Sequence, residues 1–309
     1  MAPSNFKPLL VILPVLLLLA PAFAQSTEMA ADAPEKVNVG VYVLNIGKFD
    51  VTTGSFTVDF YLDMKCDGAC PDQSFEFANG RADSIDTIID DPDEKFYRIQ
   101  ASLFDDIDLR KYPFDRHVLT IELEDKLLTK EKMVYEFDEG NSGVDPSVSV
   151  VGWQFDGWGA GVADHYYAAY DETYSRFVFK IDISRVVMTA VLKSFLPVFF
   201  MVLIAMLSLI LQSEKVTMRL SLNISTLLAA VMFHLNLTSQ IPPVGYLTFA
   251  DKFMIVTYAV MIGVLLSGIL LMRNNERKNR RMEDDIYRYS LYVLPAAAVA
   301  AYSLIFMLQ

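Results

Sequence analysis

The sequence predicts an all-β, immunoglobulin-like extracellular sandwich followed by a four-helix transmembrane bundle. Three observations carry that expectation. Charge is segregated along the chain: residues 25–185 hold 32 acids against 15 bases, a net −17, while residues 186–309 hold 6 acids against 10 bases, a net +4, and Lys7 completes the whole-chain −12. Period-two apolar patterning fills the acidic half. Four charge-free apolar runs fill the rest. A chain that is 53% hydrophobic and still strongly acidic is no uniform globular protein, no disordered chain and no cationic nucleic-acid binder.

Residues 1–24 read as a secretory signal. Lys7 precedes an apolar run at 9–19 broken by Pro14, and Ala22-Phe23-Ala24 supplies small residues for cleavage before Gln25. The run is too short to cross the ~30 Å of a bilayer core, which favours a signal over an uncleaved anchor. Residues 25–36 are a linker, and residues 37–185 form the sandwich. Thiols exported with such a signal can oxidise. Cys66 and Cys70, in Cys-Asp-Gly-Ala-Cys-Pro, are therefore expected to form a short-loop disulfide, since two further ligands at metal spacing are missing.

Within the sandwich, Phe56, Val58, Phe60, Leu62 and Met64 alternate with mostly polar neighbours, as do Phe177, Phe179, Ile181 and Ile183. Thr53-Gly54, Asn79-Gly80 and Asp91-Pro92 supply turns between such runs. Strands of this kind bury one face of each sheet in a shared core. No catalytic constellation is present: there are three histidines (His117, His165, His234), no Gly-x-Ser-x-Gly, no His-Glu-x-x-His and no phosphate-cradling glycine loop. An enzyme is not expected, nor a metal site or cofactor. The acidic runs Asp90-Asp91-Pro92-Asp93-Glu94 and Asp105-Asp106-Ile107-Asp108 read as solvated turns, with bound Ca²⁺ as the alternative.

A four-span transmembrane domain is expected over residues 186–309. Runs 194–211, 220–241, 253–272 and 289–308 are free of Asp, Glu, Lys and Arg and come close to the ~20 residues a helix needs to span. Arg273, Arg277, Lys278, Arg280, Arg281 and Arg288 cluster between the last two runs, so the link 273–288 is expected in the cytoplasm of a plasma membrane, or of an inner membrane in a Gram-negative cell. Four spans then return the C-terminus to the outer side, with the sandwich. Taking every third or fourth residue of the second run gives one stripe: Ser221, Ser225, Leu228, Met232, Leu235 and Ser239. Its first half is hydroxylated and most of its second half is apolar.

At Lys111-Tyr112-Pro113-Phe114-Asp115 the sequence resembles the pentameric ligand-gated ion channel family, the Cys-loop receptors and their prokaryotic homologues. Gly152-Trp153, Arg185, Pro197, Pro242 and Tyr246 agree with that family in order, over residues from about Val37 onward. The cysteines that close the family's signature loop would fall at Asp105 and Leu119, so the resemblance is to the prokaryotic branch without that disulfide. The stretch between Phe60 and Tyr112 is shorter than in the family, which implies a missing or reshaped agonist loop.

The resemblance implies a homopentamer in contact with membrane lipids, opened by a small-molecule or ionic agonist. Five copies of the stripe around an axis would make hydroxyl rings that replace part of an ion's hydration, followed by apolar rings that block ions by expelling water. A tilt that widens the apolar ring would restore conduction. The acidic outer domains favour cations. Coupling would pass through Asp50, Tyr112, Pro113, Phe114, Asp115, Arg185, Pro243 and Tyr246, with Arg185 bridging Asp115 and Asp50. Ligand-binding candidates are Trp153, His165, Tyr166, Tyr167, Tyr170 and Tyr174, whose rings suit an amine by cation–π contact. A proton or Ca²⁺ as gating ligand stands beside that. The alternative function is a non-conducting membrane sensor.

Overall fold

The computed structural model describes residues 33–70 and 75–307. The signal segment and most of the linker lie outside the described residues. Among the described residues ten strands come first: β1 (Glu35–Ile46), β2 (Ser55–Cys66), β3 (Phe75–Phe77), β4 (Gly80–Asp90), β5 (Glu94–Phe104), β6 (Arg116–Asp125), β7 (Met133–Phe137), β8 (Gly143–Val144), β9 (Trp153–Tyr167) and β10 (Glu172–Arg185). Helices follow: α1 (Val187–Ser194), α2 (Leu196–Ser208), α3 (Val216–Thr238), α4 (Phe249–Glu276) and α5 (Arg280–Met307), with a 3₁₀ turn at Ser213–Lys215 before α3.

The strands make two sheets. One has the order β4-β5-β2-β1-β7 with β8 paired to β1; the other has the order β3-β6-β10-β9. Period-two alternation decides which side chains meet between them. Val37, Val39, Val41 and Val43 of β1 and Phe56, Val58, Phe60, Leu62 and Met64 of β2 are buried, as are Leu119, Ile121 and Leu123 of β6 and Phe177, Phe179, Ile181 and Ile183 of β10. Both alternating runs read from the sequence therefore line this core. Cys66 and Cys70 are joined in a disulfide.

Four helical segments are long and apolar enough to cross a membrane. The first is α1 and α2 together, Val187–Ser208. It breaks at Phe195 because Pro197 lacks the N–H that would donate back to Lys193. Each segment starts before the charge-free run that predicted it, since a helix backbone continues past a charged side chain whose long stem can reach water. The same reason corrects the 273–288 link. Helix α4 runs through Arg273 to Glu276 and α5 starts at Arg280, leaving 277–279 as the connection. Lys278, with φ +54°, takes the left-handed conformation that stops α4.

Candidate functional site

The junction between sandwich and helices is built on the loop from β5 to β6. Arg185, at the end of β10, donates from Nε and Nη2 to the two carboxylate oxygens of Asp115, at 2.8 and 3.0 Å. Its guanidinium lies 4.5 Å from the Trp153 ring centroid and 5.2 Å from that of Tyr112. The Asp115 side chain is 0% exposed. His117 Nε2 shares its second oxygen at 2.9 Å. Burial opposes the charge on Asp115, but the bonds from His117 and Arg185 prevail and hold the carboxyl below the ordinary carboxylate range.

The same loop caps a helix. The N–H groups of Phe249 and Ala250, which open α4, donate to the carbonyls of Arg110 (2.9 Å) and Tyr112 (3.0 Å). Helix N-termini carry amides with no intrahelical acceptor, and here the sandwich supplies two of them. Thr248 and Asp251 complete the end with a reciprocal capping box. Tyr246 Oη accepts from Leu109 N–H at 2.9 Å, and Phe114 stacks on Phe195 with centroids 5.6 Å apart. Leu109, Tyr112, Leu237, Ile241 and Ala250 form an apolar cluster that joins the loop, the end of α3 and α4. Tyr246→Phe removes one acceptor and is expected to cost about 1 kcal/mol, read as a lower melting temperature of the purified protein; an unchanged melting point would show that water replaces the hydroxyl.

Helix α3 presents the stripe. Ser221, Ser225, Leu228, Met232 and Leu235 are exposed on one face, with the three large apolar side chains 61–63% exposed. Ser239 sits one residue past the helix, as its C-cap. Arg219, Asn223, Thr226 and Ala230 occupy the buried face. An apolar face of this size on a helix otherwise packed in a bundle needs further cover from outside the chain. Arg219 is turned away from the stripe, donating to Ser267 Oγ at 2.7 Å. Its charge therefore lies inside the bundle and not on the stripe.

On the β9–β10 hairpin, His165 and Tyr167 meet edge to face at 4.5 Å, and Tyr167 meets Tyr174 at 5.6 Å. Tyr167 Oη donates to the buried Glu124 at 2.7 Å, Tyr174 Oη to Glu172 at 2.8 Å and Tyr166 Oη to Asp171 at 2.9 Å. The bond to Glu172 pushes the Tyr174 phenol up to about 12. A second aromatic group lies on the first sheet. Tyr42, Tyr61, Phe96 and Asp63 line an open cavity of about 300 Å³ together with Gly140, Asn141 and Ser142. Lys65 occupies one oxygen of Asp63 at 2.9 Å; the other is buried with no hydrogen-bond partner.

Residues 194–301 match the neurotransmitter-gated ion-channel transmembrane region. Over 255 residues the chain is 24% identical to a proton-gated ion channel of Gloeobacter violaceus, covering 74% of this chain and 70% of that relative. Both findings support membership of the pentameric ligand-gated ion channel family.

The structure brings together most of the residues expected at the junction, and corrects three expectations. Asp50 is not reached by Arg185. Its carboxylate accepts from the N–H and hydroxyl of Thr52 in its own turn, and His117 takes the second place on Asp115. Pro243 is exposed, and Val244 packs with Tyr246 on the apolar cluster instead. Trp153 belongs to the junction: it opens β9, whereas His165 to Tyr174 lie at the far end of the β9–β10 pair. His165, Tyr167 and Tyr174 share one face of the hairpin, the alternation of β9 sends Tyr166 to the other, and Tyr170 is exposed in the turn. Leu119 faces the core opposite Ile181, and its neighbour Thr120 meets Asp105. The carbonyls of Arg110 and Tyr112 carried no sequence signal, because any residue offers a carbonyl. The Tyr42, Tyr61, Phe96 and Asp63 cavity was hidden for another reason: its members come from three strands.

Proposed function

We propose that five copies of this chain surround a cation-selective pore that opens when a rearrangement of the sandwich widens the Leu228, Met232 and Leu235 rings. The observation that carries the proposal is the backbone docking of the β5–β6 loop on the first two amides of α4, which gives movement of the sandwich a direct grip on the helix beside the pore helix. The hydroxyl-to-apolar stripe supports conduction with an apolar gate. Cation preference is supported by the −17 carried by residues 25–185, repeated around a five-fold axis, and by the position of Arg219 away from the stripe. The basic residues 273–288 would face the cytoplasm.

Acid is the proposed stimulus, supported by the similarity to the proton-gated ion channel of Gloeobacter violaceus and by the acidic outer half. A small organic cation is a second candidate, since the orphaned Asp63 oxygen beside three rings suits one. Purified protein in a planar bilayer is expected to conduct after a step from about pH 7.5 to about pH 4.5. Under an about tenfold NaCl gradient the reversal potential should move toward the Na⁺ value. Movement toward the Cl⁻ value would overturn cation selectivity, and currents unchanged by the pH step would overturn the stimulus.

A further inference from the structure

The β5–β6 loop joins the two sheets, because β5 lies in the first and β6 in the second. A polar knot closes its root. The N–H and the hydroxyl of Thr120 donate to the two carboxylate oxygens of Asp105, at 2.7 and 2.6 Å. Asn79, between β3 and β4, donates its amide to the carbonyls of Phe104 (3.2 Å) and Thr120 (2.8 Å) and accepts from the N–H of Glu122 (3.3 Å). On the other side, Asp105 N–H donates to the carbonyl of Gly54 at 3.0 Å. Gly54 has φ +73°, and a Cβ there would come within 2.2 Å of the Asp105 carbonyl oxygen. Asp105 is thereby bound to the β1–β2 turn and to β6 at once. The tip of this loop carries the Arg110 and Tyr112 carbonyls, Phe114 and Asp115, which together hold the helices.

We propose that Asp105 is a positioning residue for gating: its paired bonds to Thr120 pin the root of the signature loop, in place of a disulfide, so that the loop's tip keeps hold of the α4 N-terminus. The role rests on the coupling function proposed above. A loop free at its root would pivot when the sandwich moves and pass little of that movement on. Two bonds to a carboxylate are charge-assisted and directional. Unlike a disulfide, they also titrate.

The charged groups around Asp105 are Glu122 on β6 and Asp106 next in the chain, both of like sign. Arg176 on β10 binds Glu122 at 2.7 Å, and Lys180 on β10 stands opposite Thr120 in register. Burial pushes the Asp105 carboxyl above the ordinary carboxylate range; the Thr120 bonds pull it back, and Glu122 and Asp106 add to the rise. A carboxyl that binds its proton more tightly in the docked loop than in water favours the docked loop as pH falls. The neutral acid keeps both partners, accepting from the Thr120 N–H and donating to the Thr120 hydroxyl. Acid therefore tightens the root.

Hydrogen exchange on the full-length protein in lipid nanodiscs tests this by amide protection. Current is not needed, so failure here and failure of the channel reading are distinguishable. Asp105→Ala is expected to speed exchange of the Phe249 and Ala250 amides about tenfold, about one lost charge-assisted bond. Thr120→Ser, which keeps hydroxyl and N–H, should leave them protected. In the unaltered chain, protection of these two amides, corrected for intrinsic rate, should rise as pH falls toward the ordinary carboxylate range, from about pH 6 to about pH 4, and Asp105→Asn should remove that rise. If Asp105→Ala does not assemble, Asp105→Asn and Thr120→Val carry the comparison. Loosening confined to residues 105–120, with Phe249 and Ala250 unchanged, overturns the positioning role. A pH dependence that survives Asp105→Asn overturns its titration.

Discussion

Arg185→Ala is expected to abolish gating in channels that still assemble. The substitution strips both guanidinium bonds from Asp115, whose side chain is 0% exposed and keeps only His117 and backbone partners. Removing one member of a buried pair costs about 3–5 kcal/mol, because the remaining charge has lost its counterion and cannot reach water. The cation also leaves the face of Trp153 and the ring of Tyr112, loosening the end of β10 where it enters α1. Arg185→Lys keeps the charge but not the fork, so it should restore assembly better than gating. The pH dependence has a definite sign. A carboxyl held below its ordinary range contributes stability that is present above the unfolded value and lost only as pH falls through the lower, folded value. Asp115 therefore stays ionised as pH falls to the ordinary carboxylate range, so an acid stimulus would have to act elsewhere. Oligomers counted at the membrane surface, with current measured on the same cells, decide the matter; Arg185→Ala oligomers that gate as the unaltered channel does would sink the strut.

The second large effect is expected at the apolar ring. Leu228→Ser, repeated five times around the axis, places hydroxyls where the pore is to stay dry, and water then holds the ring open to ions. Resting current should rise at least about tenfold, equivalent to about 1.4 kcal/mol lost from the closed state. Leu228→Val, which stays apolar, should remain closed at rest. Leu228 is exposed on its face of α3, so the serine variant removes little packing within the chain. Equal resting currents in the two variants would show that residue 228 does not form the gate.

Sequence patterning made the sandwich and the spans legible because burial follows a period. Phe56 to Met64 and Phe177 to Ile183 face the core as their alternation requires, and the stripe from Ser221 to Leu235 falls on one exposed face of α3. Ends of helices were less legible, since charge marks where a chain meets water and not where its hydrogen bonds stop. Lys193 and Arg273 both lie inside helices. The junction was half legible. The resemblance set Arg185 against both Asp115 and Asp50; the first pair forms, whereas Asp50 is satisfied two residues away by Thr52.

By itself, then, the sequence determined the division of labour in this chain: an acidic β-sandwich, four apolar spans and a striped helix, each written in composition and period. Only the tertiary structure decided how the two halves grip each other. The contacts that join them are backbone carbonyls of Arg110 and Tyr112 on the opening amides of α4, and a carboxylate of Asp105 on Thr120. Such bonds depend on where the chain places groups that every residue, or any acid, possesses, so distance and direction rather than residue type select them.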